Sequence, residues 1–197
     1  LRIGREPAIE YAVRMRQFPG DARLDHQLET GRLTESDMLA AAEVIADFHR
    51  SLPPKPRAHP GDEITRASQY ALDNFAQIRA ALSGDLFHPL LSQLEAWTRS
   101  PMNLLKPAFK DRATGGFIRE GHGDLHLANM LKLENRIVLF DCLEFDPELR
   151  WLDLMNDIAF LSMDLMAHGR EDLAYAFLHG YLQQTGNYPR NAVLRFY

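Results

Sequence analysis

"HGDLHLANM", residues 122–130, sets two histidines, an aspartate and an asparagine within nine consecutive positions. It comes after "GGFIREG" (115–121) and runs into "NMLKL" (129–133), so these polar groups sit in a loop between two apolar runs of strand length. Three chemistries fit such a loop. His122, Asp124 and His126 have the His-x-Asp-x-His spacing of some metallohydrolase sites, where imidazole and carboxylate suit zinc or manganese. Asp124, Asn129 and Asp141 instead fit phosphoryl transfer, which needs a carboxylate beside the attacking hydroxyl and hard oxygen ligands for magnesium. The third reading is a polar turn whose side chains hydrogen-bond their own backbone.

The segment just downstream of the loop favours the second reading. "NMLKLE" (129–134) and "RIVLFD" (136–141) read as two short strands with a turn near Glu134 and Asn135. Such a hairpin carries Asp141, at the end of the returning strand, back beside Asn129 at the start of the outgoing one. His49, His59, His88, His168 and His179 add no short-range pattern that would complete a metal site.

The remaining chain sets the frame. With 197 residues and 46% hydrophobic content it can bury one substantial core. A net charge of −5 leaves no electrostatic footprint for nucleic acid or an anionic membrane surface. Cys142 is the single cysteine, read as a small buried residue and consistent with a reducing, cytoplasmic setting. No apolar run approaches the roughly 18 residues of a membrane-spanning helix.

"IEYAVRMRQF" (9–18) alternates like a strand and ends in a Pro-Gly turn. "LTESDMLAAAEVIADFHRSLPP" (33–54) reads as a helix capped by Thr34, with Leu39, Ala42, Ile45 and Phe48 as its buried stripe. Helices are expected over 64–82 and 86–112, with breaks invited by Pro101 and Pro107. Two more come later, over 150–169 and 170–186, with Met155, Met163 and Met166 in the core. The expected fold class is α+β, mostly helical, with a small β-hairpin insertion that carries the polar loop.

"HGDLHLANML" together with "VLFDCLE" (138–144) resembles the aminoglycoside phosphotransferase and choline kinase family, small-molecule relatives of the protein kinases. That family has a His-Gly-Asp-x-His-x-x-Asn loop and a downstream Ile-Asp motif, the counterparts of H-R-D-x-x-x-x-N and D-F-G. The resemblance implies a protein-kinase-like large lobe that uses ATP and Mg2+. It makes Asp124 the catalytic base, His122 the histidine that steadies the loop, and Asn129 and Asp141 the magnesium ligands. Gly123, where protein kinases have arginine, points to the small-molecule branch.

More of the chain is similar to that family. "YAVRMRQFPGD" (11–21) resembles its hinge strand, so the backbone of Met15, Arg16 and Gln17 would face the adenine edge. Phe48-His49 matches a Leu-His-like pair that ends the first large-lobe helix. "DLMNDIA" (153–159) is similar to an Asp-Pro-x-x-Asp-Leu-Ala segment, implying that Asp153 or Asp157 braces the catalytic loop. Residues 1–18 are then the hinge strand of a small lobe and 19–197 the large lobe, with the chain an excerpt truncated at both ends.

The expected reaction moves the ATP γ-phosphate to a hydroxyl of a small molecule, and Glu144, Asp146 and Glu148 would suit a cationic acceptor. Expected partners are the N-terminal lobe, a P-loop ATPase domain fused to it in some bacterial relatives, and a second copy through an unpaired strand edge. Without the phosphate-covering loop and its lysine, the 197-residue chain is expected to fold but not to catalyse. The rival readings are a catalytically inactive nucleotide-binding or interaction module, and a metallohydrolase using His122, Asp124 and His126.

Overall fold

Thr34 caps the first long helix among the described residues. Its hydroxyl accepts the Asp37 N–H at 3.3 Å, and the Asp37 carboxylate accepts the Thr34 N–H at 3.1 Å, closing a reciprocal cap at the start of α2 (Glu35–Ser51). Asp37 also pairs with Lys132 at 2.7 Å, tying this helix end to the hairpin. The computed structural model in which these contacts are seen describes residues 17–56, 60–82, 87–186, 193, 194, 196 and 197. The strand expected over 9–18 lies outside the described residues, except for Gln17 and Phe18, which have irregular backbone.

A short helix, α1 (Leu24–Glu29), precedes α2. The α2 face that is buried carries Met38, Ala41, Ala42, Ile45, Ala46 and His49, so of the stripe expected from spacing Ala42 and Ile45 are buried and Leu39 and Phe48 are not. Leu39 is 41% exposed and Phe48 only half-buried. Helix α7 (Glu171–Thr185) approaches α2 closely, and a Cβ added at Gly180 would lie 3.0 Å from both the Ala42 and the Leu39 side chains. Close helix contact turns the alanine face inward. Helix α7 ends at Gly186 in the left-handed conformation, as its sequence predicts.

Helices α3 (Pro60–Ala81) and α4 (His88–Thr114) pack as a hairpin. The breaks expected at Pro101 and Pro107 do not occur: α4 runs unbroken through both. Pro107 is exposed, so its ring meets solvent and not the packed face of the helix. Glu95 joins Arg79 of α3 at 2.6 Å and Arg99 at 2.8 Å, which fastens the pair.

Two small antiparallel sheets come next. β2 (Met130–Leu133) and β3 (Arg136–Leu139) pair as predicted, from Met130 opposite Leu139 to Leu133 opposite Arg136. Glu134 and Asn135 form the two-residue turn, both with positive φ (48° and 64°), as a tight hairpin twist demands. β1 (Ile118–Glu120) pairs with β4 (Trp151–Asp153), a strand the sequence reading missed.

The region read as one helix over 150–169 is therefore divided. It comprises the end of α5 (Pro147–Arg150), then β4, then α6 (Leu154–Ala167), whose N-cap is Asp153. Asp153 accepts two hydrogen bonds from Arg112, each 2.6 Å, with both side chains buried. It also accepts the Met155 N–H at 2.8 Å. That pair pins the chain in extended form just before the helix can begin. Of the methionines assigned to the core only Met155 is buried; Met163 and Met166 are 52% and 44% exposed, on the flank of α6 away from Ile158, Leu161 and Leu165.

The fold is α+β and mostly helical, with α2, α6 and α7 around one core that also takes Leu24, Leu127, Met130 and Ile137. Among the described residues, no helix is long and apolar enough to cross a membrane.

Replacing Asp153 by Ala strands the Arg112 charge in the core. Urea unfolding should show a loss of about 3–5 kcal/mol, against about 1 kcal/mol for Thr34→Ala at its half-exposed cap.

Candidate functional site

The polar loop is held from one side by α6. Asp157 is fully buried, and its two oxygens accept three hydrogen bonds: from the His122 N–H at 2.9 Å, the Gly123 N–H at 2.9 Å and His49 Nε2 at 3.2 Å. Two turns further along α6, Asp164 accepts the Leu127 N–H at 2.9 Å. Of the two aspartates expected to contact the loop, then, Asp157 does so and Asp153 is engaged with Arg112 and the helix cap.

Glycine is required at two places here. Gly123 has φ of +80°, and a Cβ at Gly121 would lie 2.7 Å from Asp157 Oδ2. The loop backbone can press against the carboxylate only because residue 121 has no side chain.

His122 is buried and fastens the loop to the hairpin's exit. Its Nε2 donates to the Phe140 carbonyl at 2.9 Å, and its Nδ1 accepts the Asp124 N–H at 3.4 Å. The Leu143 N–H donates to the His122 carbonyl at 3.0 Å. Both ring nitrogens of His122 are thereby committed. The metallohydrolase set His122, Asp124 and His126 is not assembled, and among the described residues no three His, Cys, Asp or Glu side chains gather as a metal-binding group.

Asp124, Asn129 and Asp141 do come together. The Asn129 amide nitrogen donates to the Asp124 carbonyl at 2.9 Å, to Asp124 Oδ2 at 3.1 Å and to the Asp141 carbonyl at 3.4 Å. The Phe140 N–H donates to the Asn129 carbonyl at 3.1 Å, which keeps the two ends of the hairpin side by side. One detail differs from expectation: Asp141 lies two residues past the end of β3, in the left-handed region with φ of 57°. Aspartate tolerates that conformation better than most residues.

The Asp124 side chain is 45% exposed, with His126 Nε2 3.6 Å from its carboxylate. Among the described residues nothing donates to the Asn129 amide oxygen, and Asn129 and Asp141 line one cavity of about 730 Å³ with Phe140 and Arg23. An amide oxygen and a carboxylate on one cavity are hard donors, the type that suits magnesium. Gln17 lines that same cavity, whereas Met15 and Arg16 lie outside the described residues. A second cavity, about 280 Å³, adjoins Gly123 and is walled by Arg66, Tyr70, Asn74, Trp151 and Asn156.

Cys142, expected to be buried, is exposed, as is Glu144. Asp146 accepts the Glu148 N–H at 2.9 Å and so caps α5. The supports that sequence reasoning missed are His49 as a partner of Asp157, Tyr181, Asp164 and Arg112. Spacing gave one usable signal: Asp157 and Asp164, seven apart on one helix, share a face.

Burial acts to raise the Asp157 carboxyl, but His49 and the two backbone N–H groups outweigh it, and the net position is below the usual carboxylate range.

No protein-family profile matches the chain. Two uncharacterised proteins, from Mycobacterium tuberculosis and Mycobacterium bovis, are each 31% identical over 192 residues, covering 95% of this chain. The chain spans 38% of the length of those relatives. Among solved structures, the fold is similar to a glucosamine kinase in complex with glucosamine, ADP and inorganic phosphate, with a TM-score of 0.53 and 15% identity. That match covers 89% of this chain and 50% of the kinase, and it is a likeness of fold. The architecture is that of an α+β, kinase-like lobe.

Asp157 titrates lower in the native state than in the unfolded chain, where a value of about 3.9 applies. Below that value the unfolded chain binds more protons, so this contribution to stability is complete above about pH 4 and is lost as pH falls through the native value. Asp157→Asn should destabilise by roughly 2–4 kcal/mol at pH 7, with a deficit that shrinks toward pH 3. Urea midpoints of both proteins across that range would check it.

Proposed function

We propose that this chain carries the phosphoryl-transfer centre of a small-molecule kinase, which moves the γ-phosphate of ATP to a hydroxyl. The observation that carries the reading is the Asn129 amide, bonded at once to Asp124 and to the Asp141 backbone beside an open cavity. In this reading Asp124 orients the acceptor hydroxyl and takes its proton. Asn129 and Asp141 would hold magnesium, which when bound neutralises charge developing on the phosphate oxygens. His122 keeps Asp124 and Asp141 in register through its bonds to the Asp124 N–H and the Phe140 carbonyl. Catalysis comes mainly from positioning and electrostatics.

The smaller cavity beside Gly123 is where the acceptor would lie. Of its charged groups, Arg66 and Glu148 approach each other to 3.9 Å and Asp153 is bonded to Arg112, while Asp146 nearby is occupied by its cap. That balance, with aromatic and amide walls, favours a neutral polyhydroxy acceptor over the polycation that Glu144, Asp146 and Glu148 suggest by sequence alone. Residues 1–18 would supply the hinge to a smaller lobe and 19–197 the larger lobe, so turnover belongs to the longer protein.

In that longer protein Asp124→Asn should leave nucleotide affinity within about twofold and cut turnover by roughly two orders of magnitude. Asp141→Ala should weaken magnesium-dependent nucleotide binding as well as the rate. Titration calorimetry with magnesium-ATP and steady-state turnover separate the two effects. A fully active Asp124→Asn enzyme would refute the base assignment.

A further inference from the structure

A second chain of buried polar groups stands behind Asp157 and reaches the opposite side of the core. His49 Nε2 faces Asp157 Oδ2 at 3.2 Å, and His49 Nδ1 faces the Tyr181 hydroxyl at 2.9 Å. The three side chains come from α6, α2 and α7 and are at most 2% exposed. We infer that Tyr181 is a positioning residue for the loop that carries Asp124, acting by fixing which nitrogen of His49 bears the proton.

Donors and acceptors decide the tautomer. Among the described residues, His49 Nδ1 is the only hydrogen-bond partner of the Tyr181 hydroxyl. Burial raises the Tyr181 hydroxyl above its ordinary range, so it keeps its proton. A buried O–H with one neighbour must donate to it, since an unused buried donor is strongly unfavourable. Nδ1 therefore accepts, and the ring proton sits on Nε2, where it donates to Asp157. With the opposite tautomer, a lone pair on Nε2 would face the carboxylate and Asp157 would lose one of its three donors.

The consequence runs through to the loop. Asp157 has two oxygens to divide among His49, the His122 N–H and the Gly123 N–H. A firm Nε2–H donor fixes the carboxylate plane and so the aim of both loop amides. Asp124 is the residue directly after Gly123. Arg119 steadies the same histidine from β1 by donating to the His49 carbonyl at 2.8 Å and the Leu52 carbonyl at 2.7 Å. Tyr181 thus acts on a loop that it does not touch.

This inference rests on the phosphotransferase reading for its effect on rate, but not for its effect on the loop, and the experiment separates the two. Nitrogen-15 spectra of the full chain should show His49 protonated at Nε2 and bare at Nδ1. Tyr181→Phe should disturb that pattern and reduce hydrogen-exchange protection of the His122 and Gly123 amides.

In the longer protein, Tyr181→Phe should lower kcat for magnesium-ATP turnover about tenfold with little change in nucleotide KM, the scale of one lost buried hydrogen bond. His49→Gln, whose amide can donate from the same position, should retain more turnover than His49→Ala. On the His49→Gln background Tyr181→Phe should lose much less, because an amide has no tautomer to set. Equal losses on both backgrounds would show that Tyr181 merely packs, and a proton on Nδ1 in the wild type would overturn the inference outright. If Tyr181→Phe does not fold, the wild-type spectra and the two His49 variants decide it. If the wild type turns over no ATP while the spectra and amide protection behave as stated, the phosphotransferase reading fails and the positioning role stands.

Discussion

A carboxylate taken out of water is tolerated only when its lone pairs are filled, and Asp157 is where this chain meets that condition. An unpaired buried charge is unfavourable by several kcal/mol, while each charge-assisted hydrogen bond contributes about 1.5–3 kcal/mol. With three donors the balance favours the charged form, in keeping with the depressed carboxyl. Two of those donors are consecutive backbone amides of an irregular loop that has few bonds of its own. The constraint therefore acts both ways: the loop makes the buried charge possible, and the charge gives the loop its shape.

Helix α6 serves as a ruler for that loop. Asp157 and Asp164 lie two turns apart, a rise of roughly 10 Å, and each takes backbone N–H groups from a different end of the segment 122–127. The start of α6 must then be fixed as firmly as its aspartates, and the Arg112–Asp153 pair does this by joining α4 to the helix cap. Through β1, which pairs with β4 and feeds directly into Gly121, the same anchor sets where the loop begins. The small sheets serve less as core than as spacers between this ruler and the hairpin.

The placement of the candidate site residues was legible because they are local in sequence. Asp124, Asn129 and Asp141 belong to one loop and one hairpin, and a two-residue turn at Glu134-Asn135 leaves little freedom in how its strands return. The capping signal at Thr34 and the closing glycine at Gly186 were equally local. The errors have a common origin in distant contacts. Which face of α2 is buried depends on a glycine in α7, and the strand β4 exists because β1 and Arg112 hold it extended. Periodicity at 152, 155 and 158 looks helical whether or not the first residues have another partner. The resemblance singled out His49 only as one of a Leu-His-like pair, and spacing could not show its partners, since its two bonds cross 108 and 132 residues of sequence.

The groups that hold the loop in place and the carboxylates of Asp124 and Asp141 differ in exposure, and the difference has a physical reason. Asp157, His122, His49 and Arg112 are buried with their polar atoms engaged, so their geometry is held by the protein itself. Asp124 and Asp141 remain open to solvent, which is what groups need if they are to exchange water for a metal or a hydroxyl. Asn129 stands between the two sets: its amide nitrogen is used up on the loop, while its oxygen has no donor among the described residues. A single side chain with one half structural and one half available is a direct way to couple a rigid frame to a labile ligand. The same division explains why His122 makes a poor metal ligand here, because neither of its nitrogens is left over.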